Sequence, residues 1–397
     1  MTFGILALIV LAGLAGPALA VGRPALVSVV VGELTAGVVI GRSGFGWLHP
    51  DEPTVAFLGQ VGFAMLMFSA GLRVPLRQSG LSLGLRRGAL AALIAAGLAI
   101  PAGIGAAAVT SGGHPGIYAL LLASGSAAIL LPVLEERRLL DDERALTLMA
   151  QVALADIAAI VALPLVLQPG KAARAALGAF LVALCILALL ALARLLRDHG
   201  WVQRTRHMSK KRGWALDLRV SLLILFGLVW IAQRSGTGVL VASFGVGLMV
   251  SAIGGPKRLF RQEAGIGAGF FIPLFFVVLG SRIDLRALGQ HPSLIGLALV
   301  LIAANILVHI GAAWLTGQPT ASGLAATAQL GVPAAVVTIG LELHVLQSGQ
   351  GAAILAAALA SLGLCSWGAG RLDAIRPQHT PEPATNPAPP LQAQHHP

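Results

Sequence analysis

The sequence has little charge. Only 11% of its 397 residues are Asp, Glu, Lys or Arg, where a soluble domain carries roughly 25%. That scarcity excludes a soluble globular domain, which could not cover itself, as well as disordered and collagen-like chains. Cysteine is nearly absent. Cys185 and Cys365 both lie in apolar runs, which marks them as small interior residues and not a disulfide or metal site. There is no Walker A motif, no GxGxxG after a strand and no HExxH, so no cofactor is expected.

Hydrophobic residues make up 56% of the chain, and the mean hydropathy is +0.85. In a soluble protein a net charge of +11 would suggest nucleic acid. Here the basic residues lie between long apolar runs, so their role is to orient the chain in a lipid bilayer. No nucleic-acid partner is expected.

A span needs about 20 apolar residues to cross the hydrocarbon core. Thirteen such segments are expected, near 3–21, 25–41, 54–72, 87–110, 115–134, 145–168, 174–196, 215–233, 236–254, 264–281, 292–316, 320–341 and 350–370. The first resembles a signal peptide at Ala18-Leu19-Ala20, but no basic residue precedes its apolar run, which favours a retained span. With the N-terminus outside, 21 of the 27 basic residues fall on the inner side. The charge bias therefore puts the N-terminus out and the C-terminus in the cytoplasm.

The expected fold is an all-α polytopic membrane protein. Residues 1–376 form the transmembrane domain, with repeat one at 1–168, a linker helix at 174–196 and repeat two at 215–371. Because the linker crosses once, the two six-helix repeats are inverted. Residues 377–397 hold seven prolines and read as a disordered tail.

Two acids lie well inside the spans, Glu33 in the second and Asp156 in the sixth. An intramembrane ionisable group costs at least about 2.5–3.5 kcal/mol, so it is a functional candidate by default. Asp156 has no local basic partner in its sequence, whereas Glu33 is equally readable as a packing carboxyl and is a possible second acid. Asp217 and Arg219 are expected at the interface, where snorkelling is cheap. The fifth span is interrupted by Ser124-Gly125-Ser126 and Pro132, and the twelfth by Gly331-Val332-Pro333. Each is the fifth span of its half, and matching interruptions point to a transporter site.

With the spans placed, the motifs resemble the monovalent cation:proton antiporter-2 family, which includes Kef-type and Na+/H+ exchangers. The resemblance covers about residues 25–371. Gly32-Glu33-Leu34-Thr35-Ala36-Gly37 through Gly41 looks like GExLAGxxLG. Leu58 to Gly62 with Leu66 to Leu72 is similar to LGxxGxxxLLFxxGL. Ser126 to Leu134 resembles STAxVLPVL. Phe270 to Gly280 with Asp284-Leu285 looks like FFxPLFFxxxGxxxDL.

The resemblance implies exchange of Na+ or K+ for protons, with Asp156 as the shared site for metal cation and proton. The family places Asn, Asp or Gln before this Asp; here it is Ala155. A lysine of some members would fall near Asn305, and an Arg-Gly-Glu run is replaced by Gln329-Leu330-Gly331. Arg73 stands where an acid is usual. Ser124, Ser126, Thr327 and Gln329 are expected to supply supporting oxygens, along with carbonyls freed at the two breaks. Asn305 and His309 are four apart and share a face. His309 reads first as a hydrogen-bonded interior histidine and second as a titrating group. One acid and no intramembrane lysine predict electroneutral one-for-one exchange.

No enzymatic activity is expected. An intramembrane aspartyl hydrolase needs two facing carboxylates, and the flanking GxGD-type context is missing. A sodium-coupled symporter and a non-transporting scaffold or sensor are the competing readings of the same scaffold. The resemblance further implies a homodimer in the plasma membrane, without gating by the nucleotide-binding domain of many Kef-type members.

Overall fold

Backbone groups in a bilayer have no water to bond, so an apolar chain crosses as helices that satisfy themselves. The computed structural model describes residues 2–21, 29–73, 81–109, 113–139, 142–196, 199–235, 239–254, 257–283, 286 and 292–375. Its first half holds α1 (Phe3–Gly13), α2 (Ala15–Ala20), α3 (Val29–Ile40), α4 (Pro53–Leu72), α5 (Leu81–Ala107), α6 (Pro115–Ala123), α7 (Ala127–Glu136) and α8 (Glu143–Leu167). There follow α9 (Ala172–Leu196), α10 (Gly200–Arg212), α11 (Leu216–Ser235), α12 (Val239–Ile253), α13 (Lys257–Ile266) and α14 (Ile272–Ser281). The last four are α15 (Pro292–Leu315), α16 (Thr320–Ala326), α17 (Gly331–Glu342) and α18 (Ser348–Ala374). Among the described residues there is no strand.

Nine helical stretches among the described residues are long and apolar enough to cross a membrane. They include α13 with α14 and α16 with α17, each as one run. Phe3–Leu19, Val29–Ile40 and Val239–Ile253 are shorter apolar helices. Every expected span falls on one of these or on the pair α6 and α7. The tail at 377–397 and the Asp284-Leu285 part of its motif lie outside the described residues.

Two details differ from the expected layout. The basic stretch after the linker is a helix, α10, ended by Gly213 in the left-handed conformation (φ 71°), where glycine bears no Cβ penalty. The tenth span begins at Arg258, not near 264. A five-residue π-helical turn, Gly267–Phe271, joins α13 to α14. It lies just before Pro273, whose missing N–H and bulky ring disturb a regular ladder.

The helices pack as two groups. In one, α3 lies on α14, α4 on α12, α1 on α14 and α11 on α12, with α9 against α11 and α12. In the other, α5 packs on α6 and α8, and α15 packs on α16 and α18. The groups meet where α4 touches α7 and where α12 and α9 touch α8. At one end they are also tied by Arg282, at the end of α14, 3.5 Å from Glu342 at the end of α17.

Two crossings in the first group are made by glycine. A Cβ on Gly37 would lie 2.2 Å from the Val277 carbonyl, and one on Gly280 would lie 2.2 Å from the Leu34 carbonyl. The second crossing is built alike. A Cβ on Gly71 would lie 2.3 Å from Phe244 O, and one on Gly247 2.3 Å from Phe68 O. Without a hydrophobic drive between helices in lipid, such backbone-on-backbone contact supplies the attraction. The cysteines are free, with Cys365 buried.

Candidate ion site

The second group is centred on two interrupted helices. α6 stops at Ser124, whose extended backbone (φ −78°, ψ 162°) breaks the helix before α7 starts. α16 stops at Thr327, and Leu330 (φ −149°, ψ −53°) leads into α17. Both stops use the same device. The Ser124 hydroxyl donates to the Leu121 carbonyl at 2.7 Å, and the Thr327 hydroxyl donates to the Leu324 carbonyl at 2.7 Å. Each hydroxyl thus turns back on its own helix end and adds a second hydrogen bond to a carbonyl that already accepts from the same residue's N–H.

The two breaks meet. The Gln329 side-chain amide donates to Asn305 Oδ1 at 2.9 Å and reaches the Ser124 carbonyl at 3.4 Å. Asn305 Nδ2 donates to the Thr327 carbonyl at 3.0 Å. The Gln329 N–H donates to the Ser361 hydroxyl at 3.1 Å, which fixes the stretched segment to α18. Asn305, Gln329 and Pro333 line a cavity of about 10 Å3 together with Leu121, Leu122, Leu301, Ile354 and Ala357. That is room for one water-sized occupant.

Asp156 stands beside this crossing on α8 and is only 4% exposed. Its carboxylate accepts from the Ala127 N–H, the first residue of α7. The open N–H groups of a helix start carry partial positive charge and favour an anion. Among the described residues no Lys or Arg pairs with it.

The other expected residues divide clearly. Ser124, Ser126, Asn305, Thr327 and Gln329 are all buried. All but Ser126 belong to the hydrogen-bond network at the crossing. Ser126 immediately precedes α7, its carbonyl accepting from Leu130 N at 3.0 Å. Pro132 lies in α7, and Gly331 and Pro333 begin α17. Glu33 is buried apart, on α3 against Gly16 of α2. Asp217 pairs with Arg206 at 3.3 Å and Arg219 is exposed. His309 is 1% exposed, and its ring faces the Leu122 and Ser124 carbonyls at the end of α6.

Three polar residues were not singled out from the sequence. Glu263 is 4% exposed, on α13 facing Ser69 and Arg73 of the α4 end. It shares a stripe with buried Leu259 and Gly267, four residues either side, a spacing that reveals it once the helix is extended back to Lys257. Gln151, a turn and more before Asp156, is buried and accepts from Gln318 at 3.5 Å. Ser361 is the third.

Two crossed, interrupted helices beside a buried carboxylate, in a chain of apolar spans, define a membrane transporter. The chain belongs to the sodium/hydrogen exchanger family: its transmembrane family model matches residues 6–367. The Na(+)/H(+) antiporter of Enterococcus hirae is 26% identical over 356 residues, covering 87% of this chain and 89% of that one. YjbQ of Bacillus subtilis (strain 168) is 25% identical over 365 residues. These cover 85% of this chain but only 58% of YjbQ, so the chain spans little more than half of that relative. The fold is similar to the sodium proton antiporter MjNhaP1 of Methanocaldococcus jannaschii, with a TM-score of 0.62. That match has 19% identity and covers 94% of this chain and 98% of that one.

Proposed function

We propose that this protein exchanges a monovalent cation, Na+ or K+, for protons across the plasma membrane by alternating access. Asp156 is the shared site: ionised it holds the cation, neutral it holds the proton. The observation that carries this reading is a buried carboxylate on α8 that faces the start of α7, with no basic partner among the described residues. Such a group needs a counter-charge that arrives from outside the fold. A hard cation takes oxygen ligands, and on this proposal carbonyls freed at the breaks and the oxygens of Ser124, Ser126, Thr327 and Gln329, all buried, supply some of them.

The packing supports inverted repeats of six spans. The α3–α14 and α4–α12 crossings exchange under a two-fold that swaps second with ninth span and third with tenth. The α6–Ser124 and α16–Thr327 stops exchange under the same operation. The cavity of about 10 Å3 at the crossing has room for an ion. We further propose a homodimer with N-terminus outside and C-terminus cytoplasmic.

Everted vesicles with a pH-sensitive dye test the reading. Adding Na+, K+ or Li+ after a proton gradient is set should dissipate it in wild type and not in Asp156→Asn. Equal dissipation in both removes Asp156 as carrier. Exchange is electroneutral on this scheme, so a voltage-dependent exchange current in proteoliposomes contradicts it.

A further inference from the structure

We infer that Arg282 and Glu342 form the outer latch of the transport cycle. The pair holds the two helix groups together at the outer end while the ion site faces the cytoplasm, and it parts for the site to face outward. This rests on the antiport reading above and on the topology proposed with it. Arg282 on the α14 end and Glu342 on the α17 end are 3.5 Å apart. α14 belongs to the group built on α3 and α4, whereas α17 packs on α8 and α18. Glu342 therefore travels with the helices that carry Asp156. Arg87 and Glu143, by contrast, join α5 to α8 within one group.

Helix electrostatics explains one partner and not the other. Arg282 directly follows α14, and a cation at a helix C-terminus is favoured. Glu342 is the last residue of α17, where the same negative pole disfavours an acid. What Glu342 gains there is the guanidinium across the gap between the groups.

Both corners are stiff. The Ser281 carbonyl accepts from the Arg42 N–H at 3.2 Å, and the Ile283 carbonyl accepts from the Ser43 hydroxyl at 2.6 Å. The α14 end is thus fastened to the turn that follows α3. Beyond Glu342 the chain turns through His344 in the left-handed conformation (φ 55°). The Val345 and Leu346 N–H groups then both donate to the Gly340 carbonyl, at 2.9 and 3.0 Å. Neither corner has slack with which to follow the other, so a slide of one group past the other parts the pair.

The bond is weak, as a latch that opens in every cycle must be. Its 3.5 Å separation exceeds the roughly 2.7–2.9 Å of a charge-assisted hydrogen bond. The Arg282 Nε is buried without a hydrogen-bond partner. Opening hydrates that nitrogen and the carboxylate together, which offsets part of the lost attraction.

The first test places Arg282→Cys with Glu342→Cys in a chain carrying Cys185→Ser and Cys365→Ala. Bridging the two with a short bis-maleimide should cut Na+-driven proton exchange in proteoliposomes at least about tenfold. The same chain capped with N-ethylmaleimide should keep exchanging. The second test uses Arg282→Gln and Glu342→Gln. Losing a pair of this exposure shifts the inward–outward balance by roughly two- to fivefold. The Na+ KM measured from the outer face, in right-side-out vesicles, should fall by up to that factor, while the KM from the cytoplasmic face, in everted vesicles, should not fall. Bridged protein that exchanges at the unbridged rate, or variants whose outer KM matches wild type, overturn the inference while the antiport reading stands. A KM that falls equally from both faces places the effect at the ion site and overturns it too. Wild type that exchanges no monovalent cation refutes the antiport reading itself and takes this inference with it.

Discussion

Replacing Asn305 by leucine removes two hydrogen bonds while keeping the branched outline of the side chain in a somewhat larger volume. One runs from Asn305 Nδ2 to Thr327 O at 3.0 Å, the other from Gln329 Nε2 to Asn305 Oδ1 at 2.9 Å. A stranded buried partner costs about 1–3 kcal/mol, while membrane interhelical bonds average about 0.6 kcal/mol. Gln329 keeps its long contact to Ser124 O, so the net loss is set at about 2 kcal/mol. In a chain of 397 residues that lowers the melting temperature in detergent by roughly 2–3 °C. Gln329→Leu breaks the same side-chain pair from the other end. The double variant should then cost less than the sum of the two, with a coupling of about 1 kcal/mol. A single-variant shift below about 1 °C, or strict additivity, refutes the view that these amides clamp the two breaks together.

Further tests probe the frame. Gly71→Ala and Gly280→Ala place a methyl against a backbone carbonyl, so each should destabilise by at least about 2 kcal/mol in detergent melts. Gly97→Ala, with nothing within 4 Å of its Cβ, should be neutral or raise stability by up to about 1 kcal/mol. Arg282→Gln and Glu342→Gln break the partly buried pair that joins the two helix groups. Each should alter stability by less than about 1 kcal/mol but change the exchange rate, and the double variant should change it no further than either alone.

The architecture was legible because bilayer physics is severe. Asp156 stood out as an acid with no neighbour able to excuse it, and Ser124-Gly125-Ser126 and Gly331-Val332-Pro333 are hard to continue as helix. The sequence could not show where side chains meet. That Gln329 bonds Asn305 depends on the crossing of elements 24 residues apart. Glu263 escaped because its helix opens with Lys257, Arg258 and Arg261, and a hydropathy window discards such a start. That the His309 ring meets the Leu122 and Ser124 carbonyls likewise depends on how α15 packs on α6.

The two glycine crossings carry a thermodynamic consequence. Each half of the chain contributes one glycine to each crossing, so the frame holds the same kind of contact at both of its ends. The proposed exchange draws on no energy source but the two gradients. The direction of net flow is then set by the difference between the cation and proton gradients, and inverting the larger of them should reverse the exchange.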